Sequence, residues 1–153
     1  MRNVFLEFSR NKIFLTTLSA WLIAQTIKVI LGVIREKKFD FRWFVGTGGM
    51  PSSHAAGAAC LATAVGLEYG FDSVSFALGA TFAVVVMFDA QGVRRATGRQ
   101  ARILNKITED IYWRGRIEEN RLRELVGHTP VQVIAGFILG VIIATVSYFG
   151  WPF

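Results

Sequence analysis

The chain contains two histidines, and each lies at the start of an apolar segment. His54 ends the sequence GGMPSSH (residues 48–54), and His128 belongs to the sequence GHTPVQ (residues 127–132). An imidazole can attack an electrophile as a nucleophile or carry a proton to a leaving group. Two imidazoles therefore predict acid–base or nucleophilic chemistry if the fold brings them together.

The residues before His54 favour the start of a helix. The glycines allow a tight turn, and Pro51 and the serines are typical of the first positions of a helix. Ser52, Ser53 and the free N–H groups of such a helix would suit a phosphate group. An ordinary helix-capping turn is the alternative interpretation.

The residues after His128 predict another helix start. Thr129 is a typical N-cap, Pro130 suits the first helical position, and Gln132 completes a capping box. The box explains these three residues but not the imidazole of His128. The alternative is a hydrogen-bonded histidine at a membrane interface.

Several charged residues flank or interrupt the apolar segments. Lys28 lies inside the first segment, where an ammonium costs about 2.5–3.5 kcal/mol unless it is paired or hydrated. Arg35, seven residues later, shares its helical face. Asp89, near the end of the third segment, could pair with Lys28 or support a histidine, and Arg94 and Arg95 follow it. Snorkelling of Lys28 to the interface is the alternative.

The composition indicates a membrane protein. The 153 residues are 52% hydrophobic and 18% charged, with mean hydropathy +0.41 and a net charge of +6. Disorder is excluded by the apolar fraction. The expected anionic partner is a membrane surface or lipid headgroup rather than a nucleic acid. Cys60 is the only cysteine, so we expect a packing residue and no disulfide within the chain.

Four apolar segments, at 13–34, 54–69, 74–93 and 131–151, approach the ~20 residues that a membrane-spanning helix needs. They predict a single all-α domain (1–153), an integral membrane bundle of about four helices. The second segment is rich in Ala and Gly and is expected to pack against protein. The fourth carries Gly136, Gly140 and Ala144 at a spacing suited to close helix contact.

The distribution of charge predicts the orientation in the cell membrane. Thirteen basic residues fall in the first and third connections, against three in the N-terminal tail. The positive-inside rule then makes the loops 35–52 and 94–130 cytoplasmic and puts both termini outside. Segment 97–126 is expected to form one or two amphipathic helices at the cytoplasmic interface, with a solvated helical hairpin as the alternative.

This topology brings residues from four segments to one membrane face. Cations and hydroxyls around two imidazoles are what phosphoryl transfer requires. The sequence shows no cluster of acidic metal ligands, so we expect no metal and no cofactor. The converging residues are Lys28, Arg35, Ser52, Ser53, His54, Asp89, Arg94, Arg95 and His128.

The order Lys28-x6-Arg35, PSSH (51–54) and GH (127–128) resembles the type 2 phosphatidic acid phosphatase superfamily, which includes vanadium-dependent haloperoxidases. The chain is most similar to its divergent branch of small bacterial and plant membrane proteins. That likeness rests on GGMPSSH (48–54), FDAQGVRR (88–95) and GHTP (127–130) with Gly136. It extends from about residue 20 to residue 145.

The resemblance implies a role for each matching residue. His128 would be the nucleophile and His54 the general acid. Lys28 and Arg35 would bind phosphate, and Ser52 and the Ser53 amide would line the same oxyanion site.

Three positions depart from the superfamily pattern. Glu36 follows Arg35 where the superfamily has proline, and Leu122 stands where it has arginine. Gln132 replaces a carboxylate that orients the nucleophile; it can accept a hydrogen bond from the imidazole but cannot stabilise an imidazolium by charge.

Two functions follow from this sequence. The first is hydrolysis of a lipid or isoprenoid phosphate at the cytoplasmic face through a phosphohistidine. The second is non-catalytic binding or transport of a lipid phosphate; a purely structural membrane protein is a third interpretation. A homo-oligomer is compatible with the sequence.

Overall fold

The computed structural model of the chain describes residues 4–37, 49–91, 98, 100–101, 103–105, 107–108 and 128–150. Within these ranges lie five continuous helices: α1 (Val4–Ser9), α2 (Lys12–Glu36), α3 (Ser53–Tyr69), α4 (Val74–Gln91) and α5 (Pro130–Gly150). The described positions between 98 and 108 are also helical, and no described residue lies in a strand.

Short polar side chains begin the helices, and residues with a positive φ angle end them. Asn11 caps α2 through a 3.0 Å hydrogen bond from the backbone N–H three residues later. Ser73 caps α4 in the same way at 3.1 Å. Helix α2 ends at Lys37 with φ 51°, and α3 ends at Gly70 with φ 92°. These are the polar N-cap and left-handed C-terminal residues that stop helices in general.

Helix α3 lies at the centre of the bundle and contacts α2, α4 and α5. Ten of its 17 residues are buried, and all ten are Ala, Gly, Ser or Cys. Small side chains allow neighbouring backbones to approach closely without a large apolar core. The prediction that this segment packs against protein is confirmed.

Helix α5 runs parallel to α3 at close range. Gly136 lies against the carbonyl group of Ser52, and Gly140 lies against that of Ala56. One turn further, Ala144 packs into a cluster with Cys60. Because positions along both helices advance together, the N-termini of α3 and α5 lie at the same end of the bundle.

Most of the large apolar side chains face outward. Small residues fill the interior, whereas Leu, Ile, Val and Phe side chains of α2, α4 and α5 are exposed. A soluble bundle does not expose so much apolar surface, but lipid chains cover it at no cost. Examples are Leu22, Ile30, Leu31, Val84, Val85, Phe88, Ile134, Ile138 and Ile142.

The predicted all-α bundle is confirmed. Helices α2, α4 and α5 are long and apolar enough to cross a membrane. Helix α3 has 17 residues and is mostly buried, so the count of four spans stays a prediction. Each of the four helices begins within one residue of its predicted segment. Helix α2 continues two residues beyond its predicted end at residue 34, because charged residues are tolerated in the last turn of a helix. Positions 92–93 and 151 lie outside the described residues.

The predicted amphipathic segment 97–126 falls largely outside the described residues. Its described positions, between 98 and 108, are helical. Ile103, Leu104 and Ile107 are exposed there, whereas Ala101 is buried. An interfacial location for this segment stays a prediction, as does the cytoplasmic placement of loops 35–52 and 94–130.

Candidate active site

His54 is the second residue of α3 and is half-buried. The hydroxyl oxygen of Ser52 accepts a hydrogen bond from the N–H of Ala55 at 3.3 Å and so caps the helix. Gly49 has φ 86°, a left-handed conformation that glycine adopts readily. The chain therefore turns sharply and begins a helix just before the imidazole, as the sequence predicts.

His128 lies two residues before α5 and is 2% exposed. Its backbone N–H donates to the carbonyl of Ala90 in α4 at 3.1 Å. The predicted capping box follows it: the N–H of Thr129 donates to Oε1 of Gln132 at 3.0 Å, and the N–H of Gln132 contacts the Thr129 hydroxyl at 3.4 Å. These bonds fix the backbone on both sides of the ring.

The capping box also determines the tautomer of His128. Oε1 of Gln132 lies 3.2 Å from Nδ1 of His128. A backbone N–H can only donate, so the Gln132 atom that Thr129 contacts must be the oxygen. Nδ1 must then carry the hydrogen, which leaves the lone pair of the neutral ring on Nε2.

The two imidazoles lie next to each other. Their ring centroids are 6.1 Å apart, and the ring planes are inclined at 58°. The backbone N–H of Ser52 donates to the carbonyl of Gln132 at 3.0 Å and joins the start of α3 to the first turn of α5. Residues 74 positions apart in sequence are thereby held at one site.

The two histidines lie at the N-termini of α3 and α5. A helix N-terminus carries a partial positive charge and unsatisfied N–H groups, and it attracts anions. Ser52 and Ser53 are 0% and 2% exposed at the start of α3. Two parallel helix ends therefore create a positive potential around the imidazoles.

Lys28 brings an ammonium close to the same loop. Its side chain is 7% exposed, and Nζ donates a 3.0 Å hydrogen bond to Oε1 of Gln25. Its methylene groups pack against Gly49, where a Cβ atom would come within 3.0 Å of Cγ. Because Gly49 begins the turn into His54, Lys28 lies beside the loop that carries that ring.

Of the other predicted charged residues, two are exposed at the ends of helices and two lie outside the described ranges. Arg35 is exposed in the last turn of α2, and Asp89 is exposed near the end of α4. Nζ of Lys28 bonds to Gln25, and the suggested ion pair between Lys28 and Asp89, both described residues, is not formed. Arg94 and Arg95 lie outside the described residues.

Sequence reasoning missed the role of Gln25 as the partner of Lys28. The available signal was spacing, because two polar residues three positions apart in an apolar helix share one face. The contact between His128 and the carbonyl of Ala90 was also missed. A hydrogen bond between backbone groups of distant segments does not require particular residue types, so the sequence gives no sign of it.

The assembled groups are suited to phosphoryl transfer. His128 presents a nucleophilic Nε2, and His54 is a second imidazole able to carry a proton. Lys28 and the two helix ends supply positive charge for an anionic group. In the described part of the chain, no group of three or more His, Cys, Asp or Glu residues is arranged to hold a metal ion.

The interior of small residues, the apolar exterior and the paired histidines define a helical membrane protein with a candidate phosphate site. Residues 9–143 match the family model described as the Divergent PAP2 family, and the chain belongs to that family. It is similar to the uncharacterized membrane protein YuiD of Bacillus subtilis (strain 168), with 40% identity over 156 residues. That match covers 94% of this chain and 99% of the relative. No solved structure matches the chain.

Proposed function

We propose that this protein hydrolyses the phosphate monoester of a membrane lipid or isoprenoid, with His128 as nucleophile and His54 as acid and base. One observation carries the proposal: the two rings lie 6.1 Å apart while Gln132 holds Nδ1 of His128. Two imidazoles at this separation could both reach one phosphoryl group. Membership in the Divergent PAP2 family agrees with this chemistry.

The reaction passes through a phosphohistidine. Nε2 of His128 attacks phosphorus, the ester P–O bond breaks, and the leaving oxygen takes a proton from His54. His54, now neutral, then takes a proton from water as the water oxygen attacks phosphorus. The P–N bond breaks, inorganic phosphate leaves, and both histidines return to their starting forms.

The remaining groups bind the phosphate. Lys28 and the N-termini of α3 and α5 hold its non-bridging oxygens, with Ser52 and Ser53 at the helix start. We assign Arg35, Arg94 and Arg95 to the phosphate headgroup from their positions in sequence. Asp89 is exposed near the end of α4, and the supporting role suggested for it stays a prediction.

A lipid-anchored substrate fits the location of the site. The histidine pair lies at one end of a bundle whose outer surface is apolar, so a hydrocarbon tail can stay in the bilayer while the headgroup reaches the rings. The basic residues of loops 35–52 and 94–130 favour the cytoplasmic face for this end.

Phosphate release by the purified protein tests the proposal. Phosphatidic acid and an isoprenoid monophosphate are presented in detergent micelles. His128→Ala and His54→Ala are each expected to lower the rate at least ~100-fold, because each removes a nucleophile or a proton carrier. Gly57→Ala is the matched control, because it is a buried change in α3 whose added Cβ would have the Cβ of Trp21 as its nearest neighbour, at 3.9 Å. Release that survives both histidine substitutions would refute the mechanism.

Gln132 favours a second candidate function, non-catalytic binding or transport of a lipid phosphate. A neutral amide orients His128 but does not stabilise positive charge on the ring as a carboxylate would. Absence of phosphate release, together with binding to phosphatidic acid vesicles that does not require the histidines, would support this function over hydrolysis.

A further inference from the structure

Gln25 is a buried amide of α2 that the proposed mechanism does not use. It is 4% exposed and lies within a helix long and apolar enough to cross a membrane. A buried amide at such a position is costly unless it is hydrogen-bonded. Its Oε1 accepts a 3.0 Å hydrogen bond from Nζ of Lys28, which is also buried.

Lys28 differs from a lysine in a structural ion pair, because its hydrogen-bond partner Gln25 is neutral. A buried ammonium is commonly balanced by a carboxylate, which cancels its charge. Among the described residues, Nζ of Lys28 bonds to an amide and not to an acidic residue. A hydrogen bond to an amide oxygen uses one of the three ammonium donors, and it does not cancel the charge as a carboxylate would.

Lys28 is also held from its other side. Its methylene stem lies against Gly49, where a Cβ atom would come within 3.0 Å of Cγ and 3.3 Å of Cδ. The stem is therefore fixed by the turn before His54, and the ammonium is fixed by Gln25. A cation held in this way has few alternative positions.

We infer that Gln25 is a positioning residue, which aims the Lys28 ammonium at the phosphate site and keeps its charge available for the phosphate. The inference rests on the phosphate-binding part of the proposed function. It predicts that a phosphate group is the counter-charge of Lys28, and that an acidic residue at position 25 competes with phosphate.

The binding of inorganic phosphate to the purified full-length protein in micelles, followed by ³¹P NMR, tests this inference without requiring turnover. Gln25→Met keeps the side-chain length and removes the acceptor, and we expect about a 3- to 10-fold weaker affinity. Gln25→Glu keeps the shape and adds a negative charge beside Lys28. We expect its phosphate affinity to fall more than about 10-fold.

The stability of Gln25→Glu separates positioning from packing. A glutamate can form an ion pair with Lys28, so its thermal unfolding midpoint should be equal to or above that of the unsubstituted protein while phosphate affinity falls. A residue that acts by packing alone would lose affinity and stability together. If Gln25→Met fails to fold, the isosteric Gln25→Glu still decides the question.

A double-mutant cycle with Lys28→Met shows whether Gln25 acts through the ammonium. Coupled residues give non-additive effects. In the Lys28→Met background, Gln25→Met should change phosphate affinity less than about twofold. An undiminished effect there would overturn the inference.

Unchanged affinity in both Gln25 variants would also overturn it, as would a complete lack of phosphate binding by the unsubstituted protein. Failure of hydrolysis is a different result: if lipid phosphates are bound but not cleaved and the affinity pattern holds, the hydrolysis proposal fails while the role of Gln25 stands.

Discussion

Gln132 performs two tasks with a single oxygen atom. Oε1 accepts the N–H of Thr129, as a capping box requires, and it also faces Nδ1 of His128 at 3.2 Å. A carboxylate at this position would make the same two contacts and add a negative charge. The amide therefore keeps the orientation and tautomer of the imidazole and gives up only the charge.

Replacing Gln132 with glutamate should increase activity. Gln132→Glu retains both contacts and stabilises the positive charge that develops on His128 when its ring bonds to phosphorus. We expect phosphate release to become about tenfold faster, a gain of about 1.4 kcal/mol in the barrier. The measurement is the initial rate with phosphatidic acid in micelles.

Gln132→Leu is the matched variant, with a similar volume and no acceptor. It should slow release because Nδ1 of His128 and the N–H of Thr129 both lose their acceptor. Equal losses in the glutamate and leucine variants would show that the charge at position 132 does not influence the nucleophile.

The structural role of a single residue could be predicted where it depends on local sequence preferences. It could not be predicted where it depends on how the helices pack. The helix starts before His54 and after His128 follow from Pro, Ser and Thr, whose preferences are local. The partner of Lys28 does not follow from local rules, because Asp89 and Gln25 were both chemically suitable. The choice depends on which side chain the bundle buries, and the structure buries Gln25.

At the scale of helices, the contact between α3 and α5 holds the site together. Gly136 and Gly140 meet carbonyl groups of α3, and Ala144 extends the same stripe. The four-residue spacing predicts this contact from sequence. The sequence did not indicate which helix receives it, because α2, α3 and α4 all carry small residues.

A single methyl group at Gly140 should loosen the bundle. Its Cβ would overlap the carbonyl oxygen of Ala56 and approach Cys60 N at 2.9 Å. We expect Gly140→Ala to lower the free energy of unfolding in micelles by about 1–3 kcal/mol, the usual cost of overpacking. Thermal or denaturant unfolding of the purified protein measures it.

Gly57→Ala is the matched control for Gly140→Ala. A Cβ at Gly57 would meet its nearest neighbour, the Cβ of Trp21, at 3.9 Å, which is ordinary van der Waals contact. Alanine also favours a helix over glycine by up to about 1 kcal/mol. Stability should therefore stay level or rise, and an equal loss in both variants would contradict the proposed role of the glycine stripe.

At the scale of the whole molecule, the apolar exterior and the distribution of charge both indicate a membrane protein. The apolar segments were enough to predict the helical class, because an apolar stretch of about 20 residues is typical of a membrane-spanning helix. The sequence did not determine the number of membrane spans, because α3 has only 17 residues and is largely buried among the other helices. The positive-inside rule gives the orientation as a prediction.

Cysteine labelling tests that orientation. Cys60 is buried and is first replaced by alanine. Lys37→Cys and Asp72→Cys then place one exposed thiol at each end of the bundle. An impermeant maleimide should label Asp72→Cys in intact cells, and Lys37→Cys only after the membrane is opened. The reverse pattern would invert the predicted topology.

The most direct test of the central claim is the capture of a phosphohistidine. The purified protein is mixed briefly with ³²P-labelled phosphatidic acid and quenched in alkali, where a P–N bond survives. The label should appear on the peptide that contains His128 and be absent from His128→Ala. Label on another residue, or phosphate release that His128→Ala leaves intact, would contradict the assignment of His128 as the nucleophile.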